Sequence, residues 1–208
     1  MMMDATKSAE KNRATQAKEN VQKELSRHFG KAVFIRIIKE TKQLELWLKE
    51  RTGEWTQLKT YCIAAMSGNL GPKTAEGDKQ APEGFYRVYP RNMNPCSKFH
   101  LAFNIGYPNR YDRAQGRTGS FIMVHGGDKS VGCFAITDAG IEEIYTMVNE
   151  AFKAGAASVP VQIYPFRMSP ERMEREQPHE HYAFWLHLLP GWQHTETALE
   201  PYPDTDTP

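Results

Sequence analysis

The chain has 208 residues, 40% hydrophobic and 25% charged, and its 26 Lys and Arg nearly offset its 25 Asp and Glu, leaving a net charge of +1. At roughly 150 residues per domain this is one domain with room for an extension, long enough to bury a core without disulfide staples. The charge balance excludes a dedicated nucleic-acid binder, and no apolar run is long enough to span a membrane.

Residues 1–31 read as a polar N-terminal helical extension. Val21, Leu25 and Phe29 recur at i, i+4 and i+8, a thin apolar stripe that docks on a core and is too narrow for a membrane-surface helix. The triple Met looks like an engineered or trimmed start, and the apolar stretch of a signal peptide is missing. From Ala32 the period becomes that of strands. Ala32–Lys39 and Gln43–Leu48 form a hairpin, and Leu58–Ala65 is a third strand. Residues 66–84, with four glycines and two prolines, form a long loop of the kind that is functional or disordered. Phe85–Tyr89 and Phe99–Ile105 follow as strands. A second long loop carries Arg110, Arg113 and Arg117, and Phe121–Val124 is a buried-type strand leading into His125.

Asp138–Ala154 is the clearest helix. Thr137 or Asp138 caps it, Ile141, Ile144, Tyr145, Val148 and Phe152 form one apolar face, and Gly155 sits at its C-terminal cap. Val159–Phe166 is the last strand, and Pro160 places it at an edge or marks its start. Tyr182–Leu189 packs on the core, and Pro190–Pro208, with four prolines and no periodicity, reads as loose. Strands first and one long helix late give a β-rich α+β domain over residues 32–168, followed by a C-terminal extension over 169–208 that packs on it and ends loose.

The chemistry concentrates in His125-Gly-Gly-Asp-Lys-Ser-Val-Gly-Cys133, between the buried strand and the capped helix. A cysteine attacks carbonyls as thiolate, and a histidine within reach serves as its base. Gly132 lets the backbone approach a substrate closely, so the amides of Gly132 and Cys133 are candidates for an oxyanion site. The spacing fits neither a P-loop, since Asp128 follows Gly127, nor a Cys-x5-Arg phosphatase, since Ala139 stands where the arginine belongs.

His125-Gly and Ser130-x-Gly-Cys133 resemble the H-G…[ST]-x-G-C signature of the YkuD-type L,D-transpeptidases, bacterial cell-wall enzymes. The likeness extends to Gly71-Pro-Lys73, Gly77-Asp78 and Ala81-Pro-Glu-Gly-Phe-Tyr86. Asn104 to Gly119 and Ile163 to Met168 are similar to the YafK-type branch of that family. The resemblance covers about residues 32–190. It implies a β-rich fold of packed mixed sheets with one long helix after the cysteine. It makes Cys133 the nucleophile and His125 its base, with the Gly126 carbonyl orienting the imidazole, and Ser130 a residue that holds the loop. The attacked group would be the carbonyl on the L-centre of meso-diaminopimelate in a peptidoglycan stem peptide, through a thioester. Most relatives have S-H-G-C-[VI]-R, whereas this chain has Val131 and Phe134-Ala135 there. The YafK-type branch shares that departure and leans toward hydrolysis, releasing peptidoglycan-linked lipoprotein. Hydrolysis is therefore the leading expectation, and 3–3 crosslinking or an interbacterial toxin are the alternatives. The implied location is the periplasm or cell envelope, or a secreted effector, with no cofactor. The oligomeric state is left open.

Other residues invite weaker readings. Arg117, Arg113 and Arg110 match substrate carboxylates as guanidinium forks, and Tyr111 and Tyr86 are candidates to line the cleft. His179 and His181 lack a third ligand at metal spacing and read as a charged turn. Cys62 and Cys96 either pair with each other or are core thiols, with Cys133 left free.

Overall fold

The computed structural model describes residues 13–21 and 23–203. The triple Met and the rest of residues 1–12 lie outside the described residues. Of the expected N-terminal helix, residues 13–20 are helical and α1 (Lys23–Ser26) adds one turn. The thin stripe does dock: Val21 and Leu25 are buried in the main core, and Phe29 packs against it.

Two sheets organise the fold. The first has the order β3 (Trp55–Cys62), β2 (Gln43–Lys49), β1 (Val33–Ile38), β9 (Val159–Tyr164), β4 (Gly84–Val88). The second has the order β5 (Met93–Asn94), β6 (Ala102–Asn104), β7 (Met123–His125), β8 (Phe134–Ala135). Each mixes one parallel pair, β1 with β9 and β7 with β8, into an antiparallel frame. Two short helices lie between the strands and after them: α2 (Arg110–Ala114), inside the second long loop, and α4 (Pro170–Arg175), in the C-terminal extension. Helix α3 (Asp138–Lys153) packs on β1 of one sheet and on β6 and β7 of the other, and closes a single core between them. Thr137 caps it, accepting from the Gly140 N–H.

All six residues of β1 are buried, so both of its faces are covered. Val33, Ile35 and Ile37 face the main core, while Phe34 joins Trp47 and Trp55, and Ile38 joins a second cluster. The C-terminal helix α5 (Tyr182–Ala198) supplies that second cover through Phe184, Trp185, Leu188 and Trp192. This corrects the expectation of a loose chain from Pro190, which instead lies inside α5. Tertiary burial of Trp192 and Thr195 beyond it outweighs the helix-breaking cost of a proline. The Pro160 reading resolves to a strand start, because β9 is central. The parallel pairing with β1 begins only at Val161, past the residue that lacks an N–H. No described helix is long and apolar enough to cross a membrane.

Candidate active site

Cys133 immediately precedes β8, and the parallel register pairs Val124 with Phe134 and His125 with Ala135. That register sets Cys133 beside Met123. Residues two apart on a strand share a face, so Met123 and His125 look toward the cysteine, and all three line one cavity of about 400 Å³.

The residues after His125 hold its ring. Gly126 has no room for a side chain: a Cβ there would lie 2.6 Å from Asp138 Oδ1 and 2.8 Å from the Phe99 carbonyl. Its N–H donates to the carbonyls of Phe99 and Leu101, and the Gly127 N–H donates to Asp138 Oδ1 at 2.8 Å. Pinned there, the Gly126 carbonyl accepts a hydrogen bond from His125 Nδ1 at 2.6 Å. A carbonyl can only accept, so Nδ1 carries the proton and Nε2 keeps the basic lone pair. Burial pushes the His125 pKa below its ordinary 6.5, against the pull of the Gly126 carbonyl.

The sulfur has two partners. Cys133 Sγ–H donates to the Phe121 carbonyl at 3.6 Å, and the Met123 N–H donates to Sγ at 3.3 Å. The first suits a thiol and the second a thiolate. Burial raises the thiol pKa above its ordinary 9.0, while the Met123 N–H and the Lys73 charge pull it down. Burial thus disfavours the charged form of both the thiol and the imidazole. Phe121 itself departs from its expected place in a buried strand. It is 74% exposed with φ +54, a left-handed conformation that strains any residue with a side chain, and its strand starts only at Met123. The strain accompanies a carbonyl aimed at the sulfur.

Gly132 adopts φ +78, which only glycine takes without strain. Its N–H is already engaged: it donates to Ser67 Oγ at 2.7 Å, and that hydroxyl donates to the Lys79 carbonyl at 2.6 Å. This corrects two expectations. The Gly132 amide is not left open for an oxyanion, and the loop is held by Ser67 rather than Ser130. Ser130 Oγ is buried without a hydrogen-bond partner among the described residues, in the wall of the cavity. No motif spacing marks Ser67, because it acts across 65 residues of sequence.

Exposed Phe99 and Val131 line the same cavity as Phe121, and Lys129 adds a cation. Ala135, by contrast, is fully buried and does not line it.

The expected substrate-binding residues do not join this cavity. Arg117 pairs with buried Asp112 at 2.7 Å, and its guanidinium lies over Tyr111 and Phe184. Tyr111 stacks on His187 with ring centroids 4.1 Å apart. Arg113 donates to the Pro108 carbonyl, and the Tyr86 hydroxyl donates to Asp112 at 3.0 Å. The Tyr86–Asp112, Arg117–Phe184 and Tyr111–His187 contacts join distant segments, so the sequence pattern does not show them. Arg110, Arg113 and Tyr86 meet in a separate cavity. His179 packs on Trp185, and the His181 ring fills the space a side chain on Gly71 would take. Cys62 and Cys96 are exposed thiols rather than core residues.

Residues 33–163 match the family model of the YkuD L,D-transpeptidase catalytic domain. The L,D-transpeptidase-type protein YafK of Escherichia coli (strain K12) is 44% identical over 173 residues, 83% of this chain and 70% of that protein. Among solved structures, the helical cell shape determining protein Pgp2 of Campylobacter jejuni shares the fold. It has a TM-score of 0.53 and 21% identity over 89% of this chain and 64% of that one. Its K307A mutant also gives 0.53, at 22% identity over 80% and 58%. The chain thus spans less than two thirds of these solved chains.

Proposed function

This chain belongs to the YkuD L,D-transpeptidase catalytic domain family, and from that premise we propose that it is a cysteine-dependent amidase of peptidoglycan stem peptides. Cys133 is read as the nucleophile, His125 as general base and then acid, and the Gly126 carbonyl as the group that orients the imidazole. The observation that carries the reading is the hydrogen bond from His125 Nδ1 to Gly126, which leaves Nε2 as the basic nitrogen of a ring that lines the same cavity as Sγ.

In the proposed reaction His125 Nε2 takes the thiol proton as Sγ attacks the carbonyl on the L-centre of meso-diaminopimelate. The Met123 N–H stays on the sulfur as charge develops. The C–N bond breaks, the imidazolium protonates the departing amine, and a thioester remains. Water then attacks with Nε2 again as base, releasing a carboxylate and restoring the thiol. The unpartnered Ser130 hydroxyl offers a hydrogen bond to substrate in the cavity wall.

The cavity favours water over an amine as acceptor. Exposed Phe99, Phe121 and Val131 offer no group to orient an amine, and Lys129 opposes an ammonium. Orientation is where an amine gains its advantage over water. Of the two departures from the common motif, Val131 carries this argument and buried Ala135 does not. The preferred donor is read as a lipoprotein-linked peptide, and the periplasm as the place of action. Incubation with muropeptides of defined structure, one of them lipoprotein-linked, with mass analysis of the products, tests it. Free tripeptide is the expected product. Accumulation of 3–3 crosslinked dimers with little tripeptide would overturn the hydrolytic reading.

A further inference from the structure

A second cavity, of about 260 Å³, shares no residue with the cavity at Cys133. Four arginines line it: Arg87 from β4, Arg91 from the following turn, and Arg110 and Arg113 from α2. No carboxylate lines it, and none of the four is ion-paired among the described residues. Elsewhere this molecule pairs its enclosed cations: Arg36 with Glu45, Lys39 with Glu83, Lys73 with Asp78 and Arg117 with Asp112. In the arginine cavity Arg87 is half-buried and Arg91, Arg110 and Arg113 are exposed, so what sets it apart is four like charges with no carboxylate among the lining residues, not burial.

Three of these arginines are directed by neutral partners. Arg87 Nη1 donates to Ser158 Oγ at 3.1 Å, while its Nε is buried without a partner among the described residues. The Arg91 guanidinium lies 4.4 Å over the Tyr89 ring, and Arg113 Nη1 donates to the Pro108 carbonyl. Four like charges around one small cavity repel each other, and a buried N–H without an acceptor adds to the cost. An oxyanion bound among these guanidinium groups relieves the repulsion.

We propose that this cavity binds the carboxylates of a short acidic peptide, as a recognition site apart from the thiol. Guanidinium forks match carboxylates bidentately. Forks spread over three segments suit two or more carboxylates spaced along a backbone better than one compact phosphate, and Phe85, Tyr89 and Pro108 give that backbone an apolar wall. The volume is slightly below that of a drug-sized site, so it takes roughly one or two residues. The choice of peptide rests on the proposed action on stem peptides, whereas the demand for an oxyanion does not.

Calorimetric titration of the full chain carrying Cys133→Ala tests this by binding alone. Triglutamate is expected to bind, more weakly as salt rises. Triglutamine and inorganic phosphate are expected to bind about tenfold or more weakly, and Arg91→Gln with Arg110→Gln to cost triglutamate about tenfold. Both substituted arginines are exposed, and circular dichroism checks the fold. In the protein with all four arginines, triglutamate should also shift the Arg87 Nε–H resonance, a readout that does not depend on the variants folding. An unmoved resonance, equal binding of triglutamine, tighter binding of phosphate, or a folded double variant with unchanged affinity would overturn the proposal. Because the titration needs no turnover, its failure leaves the muropeptide result standing, and the converse holds.

Discussion

A neutral thiol beside a neutral imidazole behaves differently from a preformed ion pair, and pH separates the two. His125 acts as base only when unprotonated, and burial holds its pKa below 6.5. Burial holds the Cys133 thiol above 9.0. The rate kcat/KM should therefore rise with pH through a value below 6.5 and then stay level to at least 9. Thiolate absorbance in the ultraviolet should emerge only above 9. Thiolate already present in mildly acidic solution would contradict this assignment. Cys133→Ala should abolish turnover and leave the fold intact, since the residue lies outside the strands. His125→Ala should cost at least ~10²–10⁴-fold, the range of general acid–base catalysis. These two residues and Gly126 are legible in the sequence because their chemistry sits within nine consecutive positions. Arg117 and Tyr111 lie outside the Cys133 cavity, and the sequence does not show this because Phe184 and His187, which pack on them, are far away along the chain.

Among the elements, the strands were legible wherever β-branched and aromatic runs were long. β1, β2, β4 and β9 lie within two residues of their expected bounds. The two-residue β5 and β8 were not legible, because so short a run carries no period. The loop over residues 66–83 is the element whose role only the structure shows. Its Ser67 ties the Gly132 N–H to the Lys79 carbonyl, so it fixes the backbone just before Cys133. Ser67→Ala removes both bonds. A misplacement of about 1 Å costs on the order of 10²-fold in rate, so kcat should fall roughly ten- to a hundredfold with KM little changed. Ser67→Thr keeps the hydroxyl and should restore most of the loss. An equal loss in both variants, tracked by a lower melting temperature, would reduce Ser67 to a structural role.

Across the whole molecule one buried ion pair joins the parts that shape the site. Lys39 and Glu83 are both fully buried, with Nζ 2.9 Å from Oε1. Lys39 follows β1 and donates to the carbonyls of Asn69, Gly71 and Ala81. Glu83 precedes β4 and accepts from the Gly71 N–H at 2.6 Å and from Trp185 Nε1 on α5 at 2.9 Å. Sheet, loop and C-terminal helix thus converge on two side chains. Burial pushes the Lys39 pKa down, and Glu83 opposes that shift. Glu83→Ala would strand the ammonium in the core. Removing one partner of a buried pair costs about 3–5 kcal/mol, so urea unfolding at pH 7 should show a loss of that order. Lys39→Met together with Glu83→Leu removes both charges. That leaves the unpaired Gly71 and Trp185 N–H groups and the Ala81 carbonyl, at ~1–3 kcal/mol each, while Gln80 still donates to the Asn69 and Gly71 carbonyls. The double variant should therefore lose clearly less stability than the two single losses added together. A double variant at or beyond that sum would show that the pair does not act as a unit. Activity should not recover with stability, because three carbonyl tethers on the loop that carries Ser67 leave with Lys39.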